Sequence, residues 1–425
     1  MSSARHPDKR RFPWHFRKRR PGVIESLAPV VVLILLLVAS VLIFDEQAAI
    51  SATDGPSQIA LMIAGFVAAI IAFFQGARWH QLEQAVIQSI GFVTQTFLIL
   101  LLVGALIGTW ILGGIVPTLV VWGLELLSPE IFLPACTVIS AAVALATGSS
   151  WSTAGTIGIA LIGIGNTMGI HPGMSAGAII SGAYFGDKMS PFSETTNLSA
   201  SMVGVDLFAH IRHMVYTTGP GFLIALALFF ILGRTISLKE FDAQRVEIVI
   251  AAVRGEFNTS LYMLVPMVIL FGMVAARTPA IPSLLVGSLM GIAMAIIFQP
   301  EALVQFAGAS GLDYAVVAVK GGVRAAAIGY ASHSGVPAVD DLLSRGGMVS
   351  MLTTVWLIMS AMFFSGIMEG SGMLHTIAES ILKMVRGTGN LILATVVTAI
   401  FMNLTTSDQY MSIVISGRMY TRAYD

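Results

Sequence analysis

The run Gly182–Leu198 concentrates the side chains best suited to bind a small cation. It holds two carboxylates, Asp187 and Glu194. The neutral oxygen-bearing side chains that accompany them are Ser190, Ser193, Thr195, Thr196 and Asn197. Hard cations such as Na+ prefer oxygen ligands of these kinds. Gly186 and Pro191 predict that the chain departs from helical geometry within this run.

An exposed polar loop is the alternative interpretation of this run. Apolar stretches precede and follow it, and they favour a position inside a membrane. An ionisable side chain at membrane depth is a functional-site hypothesis by default. We therefore expect Asp187 and Glu194 to bind or move an ion.

Two further polar interruptions occur inside apolar runs, at Thr147–Thr153 and at Asn403–Gln409. Unwound backbone is tolerated at membrane depth only beside protein or a water-filled cavity. Interrupted segments in corresponding places indicate the binding site of a transporter. The ligand candidates that these two interruptions add are Ser150, Asn403, Thr406 and Asp408.

Three residues are secondary candidates: Thr147, Lys188 and Glu369. Lys188 either neutralises Asp187 when no cation is bound or extends to the membrane interface. Glu369 lines a cavity or lies at the interface. The sequence has no Walker loop and no soluble-enzyme motif, and its single cysteine rules out a thiolate metal cluster. We expect neither an enzyme nor a cofactor.

The composition identifies the environment that these side chains occupy. Hydrophobic residues make up 56% of the chain, charged residues 11%, and the mean hydropathy is +0.84. A soluble domain has about 25% charged residues, so a soluble protein is excluded. Only helices and closed barrels satisfy their backbone in lipid. Long apolar runs, without the alternation of a barrel strand, predict an all-α polytopic membrane protein.

Membrane-spanning helices need about 20 apolar residues. The candidate spans are Ser26–Phe44, Gln58–Phe74, Gly91–Leu112, Ile131–Gly148, Met214–Leu232, Leu261–Val274, Ile281–Phe298, Met348–Met368 and Leu391–Met402. Two apolar halves between them, Thr153–Gly169 and Met174–Phe185, are too short to be simple spans. They predict discontinuous helices or re-entrant hairpins.

Charge distribution predicts the orientation and the division of the chain. Basic residues are dense in the first 20 residues and recur in Gly233–Ser260, and cytoplasmic segments carry such an excess. We therefore expect a cytoplasmic N-terminus. The predicted parts are a basic tail (1–25), a first span with its loop (26–57), repeat 1 (58–232), a cytoplasmic linker (233–260) and repeat 2 (261–425). The basic tail next to a span favours a bilayer partner over nucleic acid, and a homodimer remains open.

An internal repeat supports two related halves. Gly91, Leu101 and Gly114 align in one register with Gly347, Leu357 and Gly370, and the polar interruptions at 147–153 and 403–409 align in nearly the same register. Repeats of inverted topology would allow alternating access. The counterpart of the run around Asp187 falls after Asp425 in this register, so we expect the second repeat to be incomplete within these 425 residues.

The motifs Ala146–Gly158, Gly186–Leu198 and Asn403–Tyr410 resemble those of the NhaC family of Na+/H+ antiporters, and the resemblance extends over most of the chain from about residue 60. It implies a bacterial or archaeal inner-membrane antiporter whose embedded acids bind Na+ and H+ alternately. The family also includes exchangers of organic acids, such as malate for lactate with Na+.

On this basis we expect Asp187, Glu194 and Asp408 to hold Na+ when deprotonated and to release it on protonation. Neutral oxygens would complete the shell; the expected Na+ ligands are Asp187, Ser190, Thr195, Asn197 and Asp408. The alternatives are a Na+-coupled organic-acid exchanger, with Lys188, Lys320 or Arg324 as a cationic anchor, and a channel or a membrane scaffold.

Overall fold

The computed structural model describes residues 21–44, 55–191, 193–236, 243–276, 278–308, 313–383, 387–406 and a few positions between 409 and 420. Every regular element among these residues is helical. The predicted all-α class is therefore confirmed for the described part of the chain.

Nineteen α-helices occur among the described residues. The first ten are α1 Val23–Ile43, α2 Pro56–Phe74, α3 Trp79–Leu112, α4 Ile115–Leu126, α5 Pro129–Thr147, α6 Ser150–Thr153, α7 Ile159–Thr167, α8 Pro172–Met189, α9 Glu194–Val203 and α10 Leu207–Ile236. The others are α11 Ala243–Glu256, α12 Val265–Ala275, α13 Ala280–Phe298, α14 Pro300–Ala307, α15 Tyr314–Ala327, α16 Pro337–Leu343, α17 Leu352–Gly370, α18 Met373–Lys383 and α19 Thr388–Thr406.

Seven helices of the described residues are long and apolar enough to cross a membrane, or eight if the bent pair Val246–Glu256 and Leu261–Met273 forms one span. They coincide with predicted spans, which confirms a polytopic membrane protein. Two helices begin earlier than predicted. α3 starts at Trp79 and α10 at Leu207, because their first turns are helical but too polar to be recognised by hydropathy.

The described residues form two compact units, one from Met1–Thr94 with Trp356–Asp425 and the other from Gln95–Val355. In the first unit, α1 packs against α2 and α18. A Cβ at Gly65 on α2 would lie 2.7 Å from the ring of Phe363 on α17, so the absent side chain permits this contact.

The helix pair α5 and α8 packs most extensively in the second unit. Gly182 and Gly186 lie one turn apart on the face of α8 that meets α5. A Cβ at either position would collide with a backbone carbonyl of α5, that of Thr137 or that of Ala141. Small residues at this spacing allow two backbones to approach closely in a membrane. Gly186 therefore packs inside a continuous helix, and the predicted break starts only after Met189.

Helix α5 ends at Thr147, and the next residue, Gly148, adopts a left-handed conformation with φ 68°. The chain then continues as α6, a π-helical turn Ala154–Gly158, and α7. Single π turns inside α-helices are frequent at functional sites. The two predicted apolar halves thus form separate elements, α6 to α7 and α8, and α7 packs against α8.

The charged segment Gly233–Ser260 contains a packed helix. The apolar side chains of Val246, Val249 and Val253 on α11 are buried, and α11 packs against α4, α7 and α16. Arg254 Nη2 on α11 lies 2.7 Å from Glu125 Oε1 on α4. This ion pair joins the two helices at a partly exposed position.

Gly186→Ala tests the close approach of α5 and α8. The added methyl group would meet the Ala141 carbonyl oxygen, and overpacking of this kind costs about 1–3 kcal/mol. We expect a lower midpoint of thermal unfolding in detergent. Gly221→Ala on α10 is the matched control, since nothing lies within 4 Å of a Cβ there. An unchanged midpoint for Gly186→Ala would contradict the backbone contact.

Candidate functional site

Asp187 is a buried carboxylate that faces the helix break at Gly148. It lies in the last turn of α8 and is 6% exposed. The hydroxyl of Ser150, the first residue of α6, donates to Asp187 Oδ2 at 2.9 Å and is itself 3% exposed. The structure thus brings together one residue from each of two predicted polar segments. A buried carboxylate without hydrogen bonds would be costly, so this contact fixes both side chains.

Two helix C-termini lie beside this carboxylate. α5 ends at Thr147 and α8 ends at Met189, and both helices pack against α6, which begins at Ser150. The C-terminus of a helix carries a partial negative charge and freed carbonyl oxygens. Unwound carbonyls and half-helix C-termini coordinate Na+ or H+ in transporters. The local field around Asp187 therefore favours a cation.

The break after α8 is short and closely hydrogen-bonded. Ser190 is fully buried, and its backbone N–H donates to the carbonyl of Asp187 at 3.0 Å. The Thr196 hydroxyl donates to the carbonyl of Lys188 at 3.1 Å. These contacts fasten the start of α9 to the end of α8, which keeps the hydroxyl-rich segment next to Asp187.

Ser193 caps α9. Its hydroxyl oxygen accepts from the backbone N–H of Thr196 at 3.3 Å and lies 3.0 Å from the hydroxyl of Thr195. The Asn197 amide donates to the carbonyls of Pro191 and Ser193 at 2.9 and 2.7 Å. Thr195 and Asn197 are thus near the break, and the Asn197 N–H groups hold its backbone in place.

The break before α6 has its own hydroxyl network. The Thr153 hydroxyl donates to the carbonyl of Ser149 at 2.9 Å, and the hydroxyl oxygens of Thr147 and Thr153 lie 3.4 Å apart. Thr147 therefore belongs to the same polar turn as Ser150. Thr153 and Ser193 are fully buried and hold the two breaks, a role that their place in polar segments of the sequence did not predict. The signal for Ser193 was a serine followed directly by Glu194, a typical helix start.

Other predicted residues lie elsewhere. Lys188 is exposed, although it follows Asp187. Asn403 is exposed on α19, and Glu369 is half-buried on α17; both belong to the first unit. Three of the predicted residues cannot be placed in the site: Asp408 lies outside the described residues, as do the side chains of Glu194 and Thr406. The structure therefore places Ser150 in direct contact with Asp187. The other described candidates, Thr195, Thr196 and the exposed Asn197, form their hydrogen bonds within the break after α8.

The three proposed cationic anchors are all exposed: Lys188, Lys320 and Arg324. Arg324 Nη1 donates to the Phe306 carbonyl at 2.9 Å, and its guanidinium lies 4.8 Å from the centre of the Phe306 ring. Among the described residues, no group of three or more His, Cys, Asp or Glu side chains is placed to hold a metal ion. Among the described side chains, the Asp187 site combines one carboxylate with the hydroxyl of Ser150.

Comparisons with known proteins identify the family of this chain. Residues 182–425 match the sequence model of the Na+/H+ antiporter family. The chain is 36% identical over 372 residues to the malate-2H+/Na+-lactate antiporter of Bacillus subtilis (strain 168), covering 88% of this chain and 76% of that protein. It is 35% identical over 366 residues to the Na+/H+ antiporter NhaC of Alkalihalophilus pseudofirmus, covering 86% and 76%.

A third relative transports a different substrate. The chain is 33% identical over 405 residues to the arginine/ornithine antiporter ArcD of Halobacterium salinarum, covering 95% of this chain and 79% of that protein. The fold and these similarities define a transporter, a multi-pass protein of the cell membrane. The chain belongs to the NhaC-type Na+/H+ antiporter family, as its motifs predicted.

Ser193→Ala tests how the break after α8 is held. Loss of a serine N-cap costs about 1 kcal/mol, which corresponds to roughly fivefold faster local opening. We expect hydrogen exchange at the first amides of α9 to accelerate by about that factor. Ser201→Ala replaces an exposed serine of the same helix and should leave these rates unchanged. Equal rates in both variants would mean that Ser193 does not cap the helix.

Proposed function

We propose that this protein exchanges Na+ for H+ by competition at Asp187. One observation carries the proposal: a buried carboxylate at the end of α8 accepts a hydrogen bond from a buried hydroxyl at the start of α6. Two helix breaks thus meet at a single ionisable group. Family membership supports transport of Na+ and H+ by this chain.

The proposed cycle uses two states of one carboxylate. Deprotonated Asp187 binds Na+, and the oxygens of Ser150, Ser190 and Thr195 complete part of the ion's shell. Protonation removes the negative charge, so Na+ leaves. Because the site holds either ion and not both, access from alternate sides of the membrane couples their movements. External H+ would enter as cytoplasmic Na+ leaves.

A shared site remains part of the proposal. Glu194 would adjust the local charge, and Asp408, with Asn403 and Thr406, would contribute from the second polar interruption. This arrangement follows from two repeats, 58–232 and 261–425, related by inverted topology. The linker 233–260 would then face the cytoplasm, as would the basic tail 1–25 ahead of the first span and loop, 26–57. Secondary roles for Thr147, Lys188 and Glu369 belong to the same proposal.

Asp187→Asn is the main test of the mechanism. It removes the charge and the proton site while it keeps the size of the side chain. In vesicles with a pH-sensitive dye, we expect Na+-driven proton movement to vanish at every pH. Glu301→Gln on α14 changes an exposed carboxylate and serves as control with normal exchange. Full exchange by Asp187→Asn would falsify the mechanism.

In the wild type, the apparent Na+ affinity should fall up to about tenfold for each unit of falling pH, a step of about 1.4 kcal/mol.

Na+-coupled exchange of organic acids is the second candidate function. It is favoured by the 36% identity to a protein named malate-2H+/Na+-lactate antiporter. Such substrates need a cationic anchor, and Lys188, Lys320 and Arg324 are the proposed residues.

Malate and lactate separate the two candidates. For a Na+/H+ exchanger, we expect dye responses to Na+ that are the same with and without malate outside and lactate inside the vesicles. An organic-acid exchanger requires both anions, because its carrier cannot complete a cycle without them. Radiolabelled malate uptake that depends on internal lactate would favour the second candidate. Lys188→Gln would then identify or exclude one anchor.

Orientation is tested by a single cysteine near the N-terminus. Ser2→Cys, in a Cys136→Ala background, should react with a membrane-impermeant maleimide only after the cells are opened. The physical reason is that dense basic residues remain on the cytoplasmic side. Labelling from outside intact cells would contradict the proposed topology. Cross-linking of the same cysteine between two copies would support a homodimer in the bilayer.

A further inference from the structure

The short helices α14 and α15 lie at the end of the membrane-spanning helix α13. α14 begins at Pro300, directly after α13. The Tyr314 hydroxyl at the start of α15 donates to the Ile296 carbonyl, in the last turn of α13, at 2.6 Å. With 8 and 14 residues, α14 and α15 are too short to cross a bilayer. Both helices therefore begin where a span ends, which is the level of the lipid headgroups.

One face of α15 packs against the protein. Its buried residues are Val317, Ala318, Gly321, Gly322 and Ala325. A Cβ at Gly321 would collide with the side chain of Leu303 on α14, and a Cβ at Gly322 would lie 2.8 Å from Ile292 Cγ2 on α13. This close packing fixes which side of α15 faces outward.

The outward face of α15 is mainly apolar. Val316, Val319 and Val323 are 51%, 67% and 61% exposed, and Ile328, just after the helix, is 65% exposed. Steps of three and four residues place the three valines on one side of the helix. The apolar side of a helix in the membrane interface lies against the acyl chains of lipids. We therefore expect these valines to contact lipid chains.

Two basic side chains share this outward face. Lys320 and Arg324 are one turn apart, so they are neighbours on the helix surface, and both are exposed. Arg324 Nη1 donates to the Phe306 carbonyl at 2.9 Å, and the guanidinium lies 4.8 Å from the centre of the Phe306 ring. A guanidinium has five N–H donors in a rigid fork. The contact with α14 thus orients this fork beside the Lys320 ammonium.

The acids of these two helices lie towards the other ends of the helices. Asp313 caps the start of α15, where it accepts from the backbone N–H of Ala315 at 3.3 Å. Lys320 follows about two turns later. Glu301 lies in the first turn of α14, whereas Phe306 lies in its last turn. Positive charge is therefore concentrated near the end of α14, and it complements a phosphate, which Arg binds as a fork and Lys as a point charge.

We propose that Lys320 and Arg324 bind the headgroup phosphate of an anionic phospholipid whose acyl chains lie against Val316, Val319 and Val323. A phosphate joined to acyl chains matches both parts of this face, the cations and the valines. Basic side chains at the membrane surface attract anionic lipids in this way. The site goes beyond the proposed function, since it does not depend on any role of Asp187.

A fluorescent label on this face tests the proposal. Val319→Cys, in a Cys136→Ala background, is labelled with bimane, and the full chain is reconstituted into vesicles. The vesicles contain phosphatidylglycerol or phosphatidylcholine with a nitroxide on the acyl chain, which quenches bimane at short range. We expect stronger quenching by the anionic lipid. This preference should fall about fivefold with Lys320→Gln, the effect of one basic residue at a membrane surface, and further with Lys320→Gln and Arg324→Gln together.

Two controls separate these cations from the rest of the surface. The same label at Leu223→Cys lies on the span α10, at a position that is 65% exposed, and the two lipids should quench it equally. Arg254→Gln, with the label at Val319→Cys, removes a positive charge that is paired with Glu125 at 2.7 Å. It should leave the lipid preference unchanged.

Malate distinguishes a lipid site from an anchor for organic acids. Added to the labelled protein, it should not alter the preference for the anionic lipid, and a preference that malate abolishes would assign the two cations to an organic-acid substrate. Equal quenching by both lipids, no quenching by either, or a preference that survives the double replacement also overturns the proposal. If the double variant does not fold, Lys320→Gln alone decides, because this exposed replacement leaves the Arg324–Phe306 contact in place.

Discussion

The backbone contact between α5 and α8 is the constraint on which the Asp187 site depends. Gly182 and Gly186 remove the side chains that would otherwise separate the helices. Asp187 follows Gly186 directly, and α6 starts just after the left-handed Gly148 that ends α5. The distance between Asp187 and Ser150 is therefore set by two backbones and not by flexible side chains. A carboxylate in this position has a hydroxyl partner without any help from water.

Much of the fold follows from the sequence because membrane spans are long and uniformly apolar. The seven candidate spans were predicted, and the errors fall where helices extend into polar segments, as at Trp79 and Leu207. Hydropathy measures the free energy of transfer from water to lipid. It therefore does not detect a helical turn that consists of polar residues. The break near Asp187 was placed too early for a related reason. Gly186 permits close packing, and a single sequence does not reveal which helix it will meet.

The candidate site was predicted in its residue types but not in its contacts. Ser150 and Asp187 were both named, whereas the roles of Ser193 and Thr153 in holding the breaks became clear from hydrogen bonds. Glu256 on α11 and Asp340 on α16 both lie within hydrogen-bond distance of the Ser332 hydroxyl, at 3.2 and 2.9 Å, and the sequence did not predict that they are close. They lie in segments that sequence composition marks as a linker and as a semi-polar stretch, and their proximity depends on how α11 packs against α16. Contacts between distant segments leave little trace in local patterns.

The π-helical turn Ala154–Gly158 affects the angular register of the site. An α-helix advances by about 100° for each residue, and a π turn accommodates one additional residue per turn. Conversion of these residues to a regular α-helix would rotate Ser150 by roughly that angle relative to the face of α7. The hydroxyl would then point away from Asp187, although no residue had been replaced. The Ser150–Asp187 hydrogen bond therefore depends on the π-helical geometry of this one turn.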